Sequence, residues 1–470
     1  MNQTELKQTA IIPLHPTIFV ILGITGDLAS RKLLPALLAL YSKKLLPQRF
    51  AIIGFSRRTF SREEFRELIR TKLNVRPGQF KEEEIKHFLD HMSYEQGMFD
   101  DGESYARLSK KLASIDAGWG QCSNKLFHLS VPPTLYENIL SHIARSGLNK
   151  PCSDETGWTR ILIEKPFGKD IAAARNLDKL LGKLFKEEQI FRIDHYLAKE
   201  SLQNILAFRF HNSIFEPLWR REFIDKVHIK LYEKNTIEGR GAFYDGIGAL
   251  RDVGQNHMLQ MLALIAMDKP SVFDADHIRM GRAKILKHLV TITRRTLADR
   301  VTRAQYVGYT SESGVAQDSQ TETYIRIQTH IQNPRWKGVP FFLETGKAMN
   351  EAKAEIDMYF KDATAPGQDN ILTFRIQPDE GIKIKFFVKT PGYDFDVEPK
   401  TLKFRYSDTA LLDEAPNDYE RLIHDAFVGD QTLFASTQEI MASWEYVTPI
   451  LEHLNELPLK TYKKGENGVI

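Results

Sequence analysis

Thr17-Ile18-Phe19-Val20-Ile21-Leu22 runs directly into Gly23-Ile24-Thr25-Gly26-Asp27-Leu28-Ala29, and this junction decides the fold. The first six residues form a nearly continuous apolar run, the pattern of a strand buried on both faces in a parallel sheet. Glycines at the turn that follows let the backbone close on a pyrophosphate, while the next helix offers its free N–H groups and positive dipole end. The spacing is Gly-x-x-Gly-x-x-Ala, so taken alone the segment also reads as a plain strand-to-helix turn. Pro35 predicts that this helix kinks or ends near Leu34, because proline lacks an N–H and restricts the residue before it.

Outward from that junction the pattern repeats. Phe50–Phe55, Lys125–Val131 and Arg160–Glu164 are further apolar runs, and helical segments at Ser61–Leu73, Lys81–Met92, Thr134–Arg145 and Ile171–Phe185 lie among them. Such alternation predicts an α/β, doubly wound parallel sheet: a Rossmann-like dinucleotide-binding domain over residues 1–190. Beyond Ile190 the grammar changes. Lys226–Glu233 alternates like a half-exposed strand and Gly248–Met267 reads as a long helix. Strand-like runs follow at Thr323–Ile331, Val339–Leu343, Ala354–Phe360, Ile371–Gln377, Ile382–Lys389 and Leu402–Tyr406, then helices near Asn417–Phe427 and Thr437–Leu454. This predicts a larger α+β domain over residues 191–470, built on a mostly antiparallel sheet.

The composition of the 470 residues, 42% hydrophobic and 27% charged, excludes collagen-like, low-complexity and disordered classes. Sixty-four Lys and Arg against 61 Asp and Glu leave a net charge of +3, so no global basic field invites nucleic acid and any anionic ligand is held by local charge. Two cysteines, Cys122 and Cys152, are too few for a disulfide framework or a cysteine-rich metal site, which fits a reducing, cytoplasmic compartment. Apolar stretches such as Leu33–Leu40 are too short to span a membrane, and Met1–Thr17 has no signal-type apolar core. His87 and His91 lie four apart on a predicted helix, but Phe88 stands where a zinc peptidase helix needs Glu, so no metal is expected.

Four segments carry chemistry. An NAD site usually ends its second strand with Asp or Glu for the ribose 2′-hydroxyl; between Ala51 and Phe60 this chain has none, and offers Ser56-Arg57-Arg58 instead. Guanidinium groups suit a 2′-phosphate, which favours NADP. Glu164-Lys165-Pro166-Phe167-Gly168 ends a parallel strand, where Lys165 would face the junction of cofactor and substrate. Arg192-Ile193-Asp194-His195-Tyr196-Leu197-Ala198-Lys199-Glu200 crowds imidazole, phenol and ammonium donors into a few residues, a suitable set for a phosphate dianion. Asp252-Val253-Gly254-Gln255-Asn256-His257 lies on the long helix, and a carboxylate partner would fix the tautomer of His257 and raise its basicity.

With these motifs stand EGRGAFYD (238–245), RWKGVPFFLETGK (335–347), IQPDEG (376–381) and DYERLIHDAFVGDQTLF (418–434). In number and order they resemble the glucose-6-phosphate dehydrogenases along nearly the whole chain. The resemblance implies oxidation of the β-anomer of glucose 6-phosphate at C1 to 6-phosphogluconolactone, the first step of the oxidative pentose phosphate pathway, with NADP as cofactor and NAD as a weaker alternative. It implies that His257 takes the C1 hydroxyl proton and that Asp194 orients it. His195, Tyr196 and Lys199 would grip the phosphate, Lys165 would bridge sugar hydroxyls and cofactor, and Glu233 and Asp252 would bind sugar hydroxyls. Lys347 and Gln377 fall at further substrate positions, and Gly23, Thr25, Gly26, Asp27, Leu28 and Arg57 at cofactor positions. The family generally pairs subunits through its large sheet, so a homo-oligomer, dimer or tetramer, is expected.

The chain departs from the family pattern in places. Ala198 stands where Gly is general and Glu344 where Arg is common. Ala352, with Lys353 beside it, stands where a basic contact is often found, and the end lacks the usual Gly-Ser-Trp-Gly-Pro. Two competing readings are weaker. Sugar dehydrogenases of the glucose–fructose oxidoreductase type share a Glu-Lys-Pro segment but need no phosphate grip. A nucleotide sensor without turnover needs neither Asp194 nor His257.

Overall fold

The computed structural model describes residues 15–73, 75–76, 78–152, 157–361, 368–409 and 415–468. Six parallel strands appear first: β1 (Thr17–Leu22), β2 (Phe50–Ser56), β3 (Met92–Gln96), β4 (Asn124–Leu129), β5 (Thr159–Glu164) and β6 (Ile190–Ile193). All six residues of β1 are buried, as the uninterrupted apolar run requires. The order across the sheet is 6-5-4-1-2-3, so consecutive crossovers depart in opposite directions from β1. That is the doubly wound arrangement, and its reversal between β1 and β4 opens a crevice at the C-terminal strand ends. The two-residue strand Phe434–Ala435 adds to the far edge, antiparallel to β6.

Pro35 does not end the first helix. Ala29–Leu33 is wound as a π-helix, with the Leu34 N–H reaching back to Ala29 O, and Leu34–Ser42 continues as α-helix. The wide turn leaves Pro35 in the first turn of the α-helical part, where its missing N–H costs nothing. The cysteines also correct the sequence reading. Cys122 and Cys152 precede the adjacent strands β4 and β5, which brings their Cα atoms to 6.1 Å, and they are disulfide-bonded. Cysteine usage therefore no longer argues for a reducing compartment.

The chain divides into two compact units, and the division is not a single cut near residue 190. Within the described residues the first unit runs to Gly168, resumes over Ala172–Ala198, and takes up Pro416–Ala435 from much later in the chain. The late segment belongs there because the helix Asp418–Val428 buries Tyr419, Leu422, Ile423, Ala426 and Phe427 in the same apolar cluster as Phe19, Leu33 and Leu37. At its end the Arg160 guanidinium, stacked on Trp158, donates to the carbonyls of Ala426 and Phe427 at 2.7 and 2.8 Å.

The second unit comprises Lys169–Ile171, Lys199–Ala415 and the residues from Ser436 onward. Its sheet uses β7 (Ile224–Tyr232), β8 (Val301–Tyr306), β9 (Tyr324–His330), β10 (Pro340–Gly346), β11 (Lys353–Phe360), β12 (Ile371–Gln377), β13 (Gly381–Lys389) and β14 (Val397–Arg405), closed by Leu459–Tyr462. The order is 14-13-12-11-7-10-9-8 and then Leu459–Tyr462. Pairing is antiparallel except between β7 and β10 and between β8 and Leu459–Tyr462. The long helix packs on β7 and β10 and buries all eight residues of Leu259–Ala266. Its C-terminal carbonyls are capped by buried donors: Arg209 reaches Ile265 O and Met267 O at 3.0 and 2.8 Å, and the indoles of Trp219 and Trp336 reach Ile265 O and Ala266 O at 2.8 Å each. A cation at that end also opposes the helix dipole, and burial brings the Arg209 pKa down to about 10. Among the described residues no helix is long and apolar enough to cross a membrane.

Candidate active site

The turn after β1 is shaped by what cannot fit there. Gly23 has φ +89°, and a Cβ on it would stand 2.2 Å from Ser130 O, so only glycine closes the turn. Gly26 N donates to Gly23 O at 2.9 Å, and the Lys72 ammonium fixes Thr25 O at 2.6 Å. Asp27 is exposed and Leu28 half-buried at the entry to the π-helix. At the end of β2, Arg57 and Arg58 are both exposed, with Gln96 Nε2 donating to Arg57 O at 3.3 Å. A turn closed by Gly23 and Gly26, with two exposed guanidiniums and no acid at the end of β2, fits a dinucleotide carrying a 2′-phosphate.

Strands β5 and β6 of the same sheet deliver the next residues. Glu164, the last residue of β5, is held by the Tyr419 hydroxyl at Oε1 (3.0 Å) and the Tyr136 hydroxyl at its carbonyl (3.0 Å). Lys165 follows, across a cis bond to Pro166. After β6, Asp194 turns the chain: its carbonyl accepts from Leu197 N at 3.0 Å and its Oδ1 from Tyr196 N at 3.1 Å. That turn displays His195 half-buried, while Tyr196 is buried and the Ala198 methyl packs into the apolar cluster. The extra methyl relative to the family's glycine is thus housed in the core.

In the second unit three predicted residues meet. The parallel register of β7 and β10 sets Tyr232 opposite Gly346, and Glu233 N donates to Gly346 O at 2.9 Å. Lys347, one residue on, is only 3% exposed; its ammonium pairs with Glu233 Oε2 and, at 3.3 Å, with Asp252 Oδ2. It also lies 5.0 Å from the centre of the Tyr244 ring, whose phenol pKa burial raises. The Tyr462 hydroxyl donates to Lys347 O at 2.7 Å, so the closing strand steadies the lysine from behind. His257 is buried on the same helical segment as Asp252. Lys199 is the N-cap of the helix Glu200–His211, and Gln377 ends β12 before a cis bond to Pro378. Ser201 Oγ donates to Ile376 O at 3.2 Å, which ties the two segments together.

The departures have local partners. Glu344 is bonded to His228 and Tyr324 at 2.7 Å each; burial opposes its charge, but these donors and Tyr232 outweigh burial and hold its pKa at about 2. Lys353 pairs with Glu351 at 2.7 Å and Glu355 at 3.4 Å beside it. Both places are filled by charge of this chain's own.

Sequence reasoning missed the group that starts the helix. Glu322 is buried; its Oε1 accepts from Leu250 N at 3.0 Å and its carbonyl from Ala249 N at 3.0 Å. Burial raises its pKa, while the Leu250 N–H opposes that rise. The carboxylate sits against Gly248, which has φ +76° and whose Cβ would lie 2.3 Å from Oε1. A glycine at the start of a predicted helix was the one available signal; the acid 74 residues later, in a stretch without periodicity, gave none. Gly248→Ala is expected to destabilise the protein by about 1–3 kcal/mol, through strain at a left-handed residue and displacement of Glu322. Denaturant unfolding with turnover measured in parallel checks this, and a variant matching the parent in both would show that the helix start tolerates a methyl.

Known proteins resemble this chain over nearly its whole length. Residues 20–204 match the family model of the glucose-6-phosphate dehydrogenase NAD binding domain, and residues 206–469 that of its C-terminal domain. A glucose-6-phosphate 1-dehydrogenase of Aggregatibacter actinomycetemcomitans is 41% identical, with 92% of this chain and 90% of that one covered. The cytoplasmic glucose-6-phosphate 1-dehydrogenase 6 of Arabidopsis thaliana is 39% identical over 99% and 92%. A solved glucose-6-phosphate dehydrogenase in complex with its substrate glucose 6-phosphate superposes with a TM-score of 0.90 at 34% identity, covering 98% and 96%. Two family models that together span nearly every residue, with relatives this similar over this length, place the chain in the glucose-6-phosphate dehydrogenase family.

Proposed function

We propose that the chain oxidises the β-anomer of D-glucose 6-phosphate at C1, giving 6-phospho-D-glucono-1,5-lactone, as the first step of the oxidative pentose phosphate pathway. It is an enzyme of the oxidoreductase class and its cofactor is NADP. The observation that carries the reading is the cluster in the second unit: Glu233 and Asp252 are part-exposed carboxylates fixed by buried Lys347, and Asp252 shares its helical segment with His257. Such a pair accepts hydrogen bonds from sugar hydroxyls, and the ammonium between its members holds both carboxylates in place.

Each residue then has a role. Gly23, Thr25, Gly26, Asp27 and Leu28 hold the pyrophosphate side of NADP, and Arg57 its 2′-phosphate. Bound NADP supplies the acceptor for the hydride that leaves C1. His257 takes the proton from the C1 hydroxyl oxygen as that oxygen becomes the lactone carbonyl, a task suited to a side chain titrating near neutrality. Asp194 fixes the imidazole tautomer and steadies its cation. His195, Tyr196 and Lys199 hold the phosphate dianion, while Lys165, Lys347 and Gln377 orient the sugar.

His257→Asn should lower kcat by about 10²–10⁴-fold while glucose 6-phosphate binding largely survives, as removal of a general base requires. Nicotinamide absorbance and equilibrium binding read the two effects; loss of binding with turnover would make His257 structural instead. In the same assay free glucose should be a poor substrate, and equal rates with glucose would remove the phosphate grip. Arg57→Ala should weaken NADP by about 10–100-fold, the worth of a charged hydrogen-bonded contact, with little effect on NAD. Equal losses for the two nucleotides would move the 2′-phosphate elsewhere.

We also propose a cytoplasmic homo-oligomer, dimer or tetramer, paired through the large sheet. Its support is the outer edge strand β14, where Leu402 and Phe404 are exposed, as is Phe395 just before it. An apolar strand edge left open to water invites pairing with a second copy. Light scattering should find a dimer or tetramer that Phe404→Asp shifts toward monomer; an unchanged mass would exclude this edge.

A further inference from the structure

The helix bearing His257 is not α-helical where it bears it. Leu250–Met258 is wound as a π-helix and becomes α-helical only from Leu259 to Ala266. A π-turn closes its hydrogen bonds over five residues, so one turn takes about 4.4 residues, against about 3.6 in an α-helix. Two residues five apart therefore differ by about 140° around an α-helix but by only about 50° around a π-helix. Asp252 and His257 are five apart. The π-winding is what brings them to one face.

Asn256 stitches that winding. Its Nδ2 donates to Arg251 O at 3.1 Å and to Asp252 O at 3.0 Å, and its Oδ1 accepts from the His257 backbone N–H at 2.7 Å. One side-chain amide thus serves two carbonyls of the widened turn and the N–H of the proposed base itself. Each of those carbonyls has a second lone pair, so the amide adds a donor at both and spans the interval of four and five residues over which the widened turn closes. Aspartate has the acceptor without the donors, and serine reaches back only to the carbonyl four residues before it, here that of Asp252.

We propose that Asn256 is a positioning residue whose side-chain amide maintains the π-turn and so keeps Asp252 and His257 on one face of the helix. This rests on the reading of His257 as the base. The test uses the full chain with Asn256→Ala and Asn256→Ser, reading kcat, KM for NADP and glucose 6-phosphate, and the crystal structure of each variant. Asn256→Ala should lower kcat by about 10–100-fold, the scale on which small misplacements cost rate, with KM for NADP within about twofold. Its segment 250–258 should shorten to four-residue α-helical bonding. Asn256→Ser, keeping one of the two carbonyl contacts, should recover part of the loss. An alanine variant with kcat within about twofold of the parent, or one that retains the π-turn, overturns the proposal. If the alanine variant does not fold, the serine variant decides on the same two readouts. A parent that fails to reduce NADP with glucose 6-phosphate would sink the functional reading instead, and the winding of residues 250–258 in the variant would still decide the role of Asn256.

Discussion

A buried ammonium has to be paired, and in the second unit that requirement organises everything around it. Lys347 is almost wholly shielded from water, so the cost of removing its charge from solvent must be offset by charge close at hand. Two carboxylates meet it from different elements: Glu233 from the end of β7 and Asp252 from the helix. The β7–β10 register fixes the first contact and the helix packing fixes the second. The anchors further out follow from this. Glu322 holds the helix start, Arg209 and two indoles hold its end, and the Tyr462 hydroxyl holds the lysine's own carbonyl. Removing any of them loosens the place where opposite charges must meet.

Much of the architecture was legible because it is local. The apolar run at β1, the glycines after it and the arginines after β2 each specify their own geometry within about a dozen residues, and the doubly wound sheet follows from their repetition. Strands with little to mark them were not: β3, β6 and the closing Leu459–Tyr462 are short, and β8 alternates too weakly to stand out. The single domain cut failed for a different reason. Nothing in DYERLIHDAFVGDQTLF says which of two cores it will join, since an amphipathic helix fits either. Only packing of Tyr419 and Leu422 decides that.

The site divides along the same line. The placement of GITGDLA, SRR and EKPFG at strand ends was readable, because each directly follows an apolar run that marks its strand. The gathering of Glu233, Asp252 and Lys347 into one cluster was not, because their spacing in the chain is large and no periodicity links them. Nor was either π-segment. Pro35, which reads from sequence as a helix breaker, follows the first widened turn and begins the α-helical part, while Asn256 lies inside the second.

The return of residues 416–435 to the first unit has a consequence for how the protein is made. The first unit's core includes side chains synthesised only after most of the second unit has left the ribosome. A nascent chain that has reached Ala198 holds six parallel strands but lacks the helix that covers Phe19 and Leu37. Its apolar face must stay open while more than two hundred further residues are added. The dinucleotide-binding unit is begun first and completed last, so premature termination anywhere in the large sheet leaves exposed apolar surface rather than a finished, separable domain.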